Sequence, residues 1–90
     1  MLGRFLDGKK NSMKAYVLMT VTAGASPEIQ EELRSWGPAG GILEVDAVAG
    51  SYDVVAVVEA ADPREIGEIV MGKIQHLDGV LTTVTLFSIG

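Results

Sequence analysis

Five consecutive residues, Val54-Val55-Ala56-Val57-Val58, are apolar without any alternation. A strand turns successive side chains to opposite faces, so such a run asks for cover on both sides. The chain has 90 residues, enough for one domain with a modest core. Its 48% apolar content is high for that size. Apolar surface that a small core cannot hide is buried between copies, so the composition points to an oligomer.

The elements around the run follow from periodicity and punctuation. Lys14 to Thr22 is β-rich and apolar on both alternating sets: Val17, Met19 and Val21 on one, Tyr16 and Leu18 on the other. Ala23-Gly24-Ala25 ends it. Ser26 suits an N-cap and Pro27 a first helical position, and Ile29, Leu33 and Trp36 form a stripe at helical spacing. Glu28, Glu31 and Glu32 lie near that helix start, where the helix dipole favours negative charge. Gly37 to Gly41 stops the helix. Ile42 to Ala49 reads as the second strand and Val54 to Ala60 as the third. Asp62-Pro63-Arg64-Glu65 combines an N-cap, an N1 proline and a capping-box glutamate. A stripe of Ile66, Ile69, Val70, Ile74 and Leu77 follows, with Gly67 and Gly72 read as sites of close packing against the sheet or a neighbour. Asp78-Gly79 closes this helix, and Leu81 to Ile89 is the last strand.

The order β-α-β-β-α-β is the ferredoxin-like, split βαβ arrangement of the α+β class. It predicts an antiparallel four-stranded sheet with both helices on one face. The other face is left with Val55 and Val57, or with Val54 and Val58, and needs a partner. The expectation is a homodimer with sheets packed face to face, as a dimeric α/β barrel or sandwich.

Between the second and third strands stands Gly50-Ser51-Tyr52-Asp53. Gly, Ser and Asp are ordinary turn formers, but Tyr is unusual at a hairpin tip. An aromatic hydroxyl beside a carboxylate suits either a ring packed sideways or a loop that holds something small and polar. The last strand adds Thr82, Thr83 and Thr85, which in isolation are simply good β formers. If the start of that strand lies beside a neighbour's hairpin tip, the hydroxyls complete a site for a zwitterion. Its amine would pair with Asp53, and its carboxylate with backbone N–H groups and the threonines.

Other chemistry finds less footing. There is no Cys, which removes disulfides and thiolate metal sites. The single His76 lacks partners for a metal site and reads as a solvated residue at a helix C-terminus. No cofactor fingerprint, phosphate loop or nucleophile-and-base constellation can be read, so a non-enzymatic module is expected. An enzymatic alternative, a dimeric α/β-barrel monooxygenase without cofactor or an isomerase, requires His76, Tyr52 and Asp53 to act together. Residues 1–14 carry net +3 and the remainder −8. That acidic body argues against nucleic-acid binding, which needs Lys and Arg against phosphate. Residues 1–13 read as a flexible leader, with no export signal and no apolar run long enough to span a bilayer, which fits the cytoplasm.

From Lys14 to Gly90 these residues resemble the effector-binding (RAM) domain of the Lrp/AsnC family. The resemblance is carried by Lys14-Ala15-Tyr16-Val17-Leu18, by Gly50-Ser51-Tyr52-Asp53 at the family's Gly-x-Tyr-Asp motif, by Leu77-Asp78-Gly79-Val80, and by Thr82-Thr83-Val84-Thr85. It implies sheet-packed dimers that assemble into octamers or similar rings. It also implies amino-acid effectors bound between dimers near the Gly-x-Tyr-Asp loop. Full-length members carry an N-terminal helix-turn-helix that residues 1–13 cannot hold. A stand-alone sensing module, co-assembling with full-length regulators and making no direct contact with DNA or membrane, is the resulting expectation. Gly37 to Gly41 is richer in glycine than the family's usual loop, which puts the ligand environment and assembly in question.

Overall fold

The computed structural model describes residues 12–90. Its elements are β1 (Met13–Val21), α1 (Ser26–Trp36), β2 (Ile42–Ala47), β3 (Val54–Ala60), α2 (Pro63–Gly72) and β4 (Val80–Phe87). Short 3₁₀ turns, Pro38–Gly40 and Ile74–His76, follow the helices. The strands form one antiparallel sheet in the order β2-β3-β1-β4. This is the ferredoxin-like arrangement expected from the sequence. The leader expected over 1–13 lies outside the described residues as far as residue 11. Met13 opens β1, and the Ser12 hydroxyl donates to Glu59 Oε2 at 3.0 Å.

One face of the sheet is fully covered. Ala15, Val17 and Met19 of β1 and Val54, Ala56 and Val58 of β3 are 0% exposed. They pack under Ile29 and Leu33 of α1 and Ile66, Ile69 and Val70 of α2, all buried. The other set on the same strands, Tyr16, Leu18, Val55 and Val57, is only half-buried. Register places Tyr16 and Leu18 opposite Val57 and Val55 on one side and opposite Leu86 and Val84 on the other. These residues form an apolar stripe across three strands, with no described element of this chain above it. Flat neighbours shield one another in part, which is why the stripe is half-buried rather than exposed.

Several local expectations need correction. Ser26 does not cap α1. The cap position is Ala25, without a side-chain bond, and Ser26 Oγ accepts instead from Gln30 Nε2 at 3.2 Å. The helix begins one residue early, which leaves Ser26 inside its first turn. β2 stops at Ala47: the next pair in register keeps one bond, from the Val48 N–H to the Asp53 carbonyl at 2.9 Å, but the Asp53 N–H goes to the Met19 carbonyl at 2.8 Å. α2 ends at Gly72, where Lys73 leaves helical angles (φ −129, ψ −58). A 3₁₀ turn then keeps Ile74 fully buried, so the apolar stripe survives a change of helix type. Gly67 and Gly72 do not pack against the sheet, since a Cβ at either would meet nothing within 4 Å. The start of α2 is as expected. The Asp62 carboxylate accepts from the Glu65 N–H at 2.9 Å, and Glu65 Oε1 accepts from the Ala61 N–H at 2.8 Å. A cap of this kind stabilises a helix by about 1 kcal/mol.

Candidate effector site

The β2–β3 connection is built around Asp53. Its C=O accepts from Val48 N–H (2.9 Å), which closes the hairpin. Its N–H donates to the Met19 carbonyl (2.8 Å), and its Oδ2 accepts from the Val21 N–H (2.9 Å). Both of the last two bonds run to the C-terminal end of β1. Asp53 is therefore a latch that fixes the hairpin tip against the neighbouring strand. Oδ1 accepts no hydrogen bond among the described residues. Gly50 supplies the reversal with φ 138, a conformation that side chains disfavour. Val48 to Ser51 are exposed and Tyr52 is half-buried. The tip is thus an exposed surface held in place by the Asp53 latch.

The threonines do not act as one group. Strand alternation sends Thr82 to the open face and Thr83 and Thr85 to the helix side. Thr82 lies opposite Thr20, and their hydroxyls are 2.6 Å apart. Thr83 Oγ1 accepts from Gln75 Nε2 at 2.9 Å. Thr85 stands opposite Val17. Within one chain the structure therefore gathers Asp53 and Thr82 at the same end of the sheet, joined through Met19, Thr20 and Val21 of β1. Thr83 and Thr85 are turned away. Thr20 is the residue that sequence reasoning missed. Its signal was the Thr20-Val21-Thr22 ending of β1, which reads as polar only once β4 is known to lie beside it.

His76 sits in the 3₁₀ turn after α2 and is exposed. It borders a groove of about 550 Å³ with Glu28, Glu31, Glu32 and Asp78. No hydrogen bond among the described residues links it to Tyr52 or Asp53. No group of three or more His, Asp or Glu side chains among the described residues is arranged to hold a metal ion. No helix among the described residues is long and apolar enough to cross a membrane.

Known proteins resemble this chain in sequence and fold. An uncharacterised HTH-type transcriptional regulator of Pyrococcus furiosus is 44% identical over 48 residues, 53% of this chain. The matched part spans only 32% of that regulator's length. A crystal structure of a Thermus thermophilus protein superposes with a TM-score of 0.78 at 29% identity, covering 87% of this chain and 94% of that one. A Neisseria meningitidis transcriptional regulator solved as an L-Met complex shares the fold, with TM-score 0.74 at 18% identity, over 87% of this chain and 50% of that one. The model of the Lrp/AsnC ligand-binding domain matches residues 14–90, from the start of β1 through the hairpin latch to the end of β4, and the chain belongs to that family.

Proposed function

We propose that this chain senses a small effector, an amino acid or a similar zwitterion, and assembles with copies of itself or with full-length Lrp/AsnC regulators in the cytoplasm. The observation that carries the reading is that Asp53, which follows Tyr52, and Thr82 both bond to the C-terminal end of β1, in a sheet whose adjacent apolar face no described element of this chain covers. The Oδ1 of Asp53 suits an ammonium group, and the exposed N–H groups of Gly50 and Ser51 suit a carboxylate. The second wall comes from a neighbouring copy, and Thr83 and Thr85 contribute only if they belong to that copy. The L-Met bound by the Neisseria relative supports an amino-acid effector. The exposure of His76 and its lack of a bond to Tyr52 or Asp53 weigh against the enzymatic alternative.

Face-to-face pairing of two sheets covers Leu18, Val55, Val57, Val84 and Leu86 at once, which is the oligomerising half of the proposal. The test is a thermal-shift screen of the twenty amino acids at millimolar concentration, with sedimentation alongside. A single site saturated 100-fold adds about 2.7 kcal/mol, well within reach of such a screen. Silence from all twenty would count against effector sensing. A well-behaved monomer at micromolar concentration would remove the sheet-packed dimer.

A further inference from the structure

The outward face of α2 has no cover among the described residues. Ile66, Ile69 and Val70 turn into the core. That leaves Arg64, Gly67, Glu68, Met71 and Gly72 on the far side of the helix, where they line an open groove of about 450 Å³. Met71 is 63% exposed, the only exposed large hydrophobic side chain on a described helix. A Cβ at Gly67 or Gly72 would meet nothing within 4 Å, so bare backbone forms the floor beside Met71. Arg64 and Glu68 pair at 3.1 Å along one rim. Both are largely exposed, and an ion pair in that setting is weak enough to exchange partners.

The chain itself arrives close to this groove. The Ser12 hydroxyl donates to Glu59 Oε2 at 3.0 Å, at the end of β3 from which Asp62 and Pro63 lead into α2. Residues 1–11, which lie outside the described residues, precede that point. A segment of that length spans at most about 36–40 Å. The 10-residue α2 is about 15 Å long, so the segment can run the whole groove. Its composition matches as well. Leu2, Phe5 and Leu6 are apolar, and Arg4, Lys9 and Lys10 against Asp7 give it a net +2. From Glu59 to Lys73 the chain carries Glu59, Asp62, Glu65 and Glu68 against Arg64 and Lys73, a net −2.

We infer that the outward groove of α2 is the docking site of this chain's own residues 1–11. Leu2, Phe5 and Leu6 cover Gly67 and Met71, and the basic side chains lie beside Glu65 and Glu68. Burying Met71 supplies the apolar part of the contact, and the opposite net charges hold the segment in place. The open sheet face is the competing place for the same apolar side chains. Lys14 stands at its near end, with Nζ 5.5 Å from the Tyr16 ring centroid, and that cation repels Arg4, Lys9 and Lys10. The groove on α2 belongs to the helix layer, apart from the hairpin tip and the open sheet face. The docking is therefore independent of any effector and of pairing between copies.

The experiment uses the full chain, hydrogen peroxide as the probe and Met71 as the reporter. A thioether oxidises according to its access to solvent. Phe5→Asp removes the ring and adds a charge that Glu65 and Glu68 repel. Met71 sulfoxide, followed by peptide mass spectrometry, is expected to form several-fold more slowly in wild type than in this variant. Met19, 0% exposed, checks in the same samples that the domain stays folded. Equal rates at Met71 in the two chains overturn the inference. Protection is expected to survive dilution, because the segment is tethered to its own groove. Protection that disappears on dilution assigns the groove to another copy and overturns the inference too. Because the chain has no Cys, a cross-link gives a second reading. Phe5→Cys with Met71→Cys is expected to close a disulfide within one chain in higher yield than Phe5→Cys with Glu31→Cys, whose partner is an exposed position on α1. Equal yields from the two pairs overturn the assignment to α2.

Discussion

Val57 and Val58 are neighbours on β3, chemically identical and oppositely placed. Val58 is 0% exposed beneath the helices, and Val57 is half-buried on a face that no described element of this chain covers. The sheet is apolar on both sides, but only one side has its cover within the described chain. The helix-covered face holds the fold together. The open face contributes less to the stability of one chain, and its apolar character fits the contact with another copy proposed above. That difference separates residues that make the domain from residues left for the proposed assembly.

The contrast can be broken most directly by charging the two valines in turn. Val58→Lys buries an ammonium with no partner, at a cost of several kcal/mol, and is expected to leave the chain largely unfolded by circular dichroism. Gly79→Ala comes next. Gly79 has φ +95, and an added Cβ would lie 2.7 Å from Ala25 Cβ on the helix side. Strain and overlap together predict a loss of about 2–3 kcal/mol in denaturant unfolding. Asp53→Ala removes the acceptor of the Val21 N–H and is expected to cost about 1–2 kcal/mol. Asp53→Asn keeps an acceptor there, so it should recover most of that stability while losing the charge an ammonium would need. If the two Asp53 variants are equally destabilised, the latch is not what the carboxylate supplies. Smallest in stability is Val57→Lys, expected to cost under about 1 kcal/mol. Its effect should appear in sedimentation instead, as loss of the sheet-face dimer. Should Val57→Lys unfold the chain as Val58→Lys does, the distinction between the two faces fails.

The site was less legible than the fold. The Gly50–Asp53 tip could be located from the turn residues and the strands on either side. That Thr82 and Thr83 face opposite ways follows from strand alternation, but which of them faces the helices depends on the pairing of β4 with β1. The Ser26 reading, and the sheet-packing half of the Gly67 reading, failed for a related reason. Local preference suggested a cap and a packing contact, but helix register and orientation in the assembled sheet set Ser26 one position inside and Gly67 outward.

By itself the sequence determined the element order, the helix stripes, the capping of α2 and the presence of apolar residues on both sides of the strands. These are consequences of periodicity and of residues at fixed short offsets, so they are written locally. Only the tertiary structure decided that Asp53 bonds to Val21 and that Thr20 meets Thr82. Those partners lie 32 and 62 positions apart in the chain. They meet because the strand order β2-β3-β1-β4 sets β1 between the hairpin strand and the last strand, an outcome of packing the whole sheet rather than of any single segment.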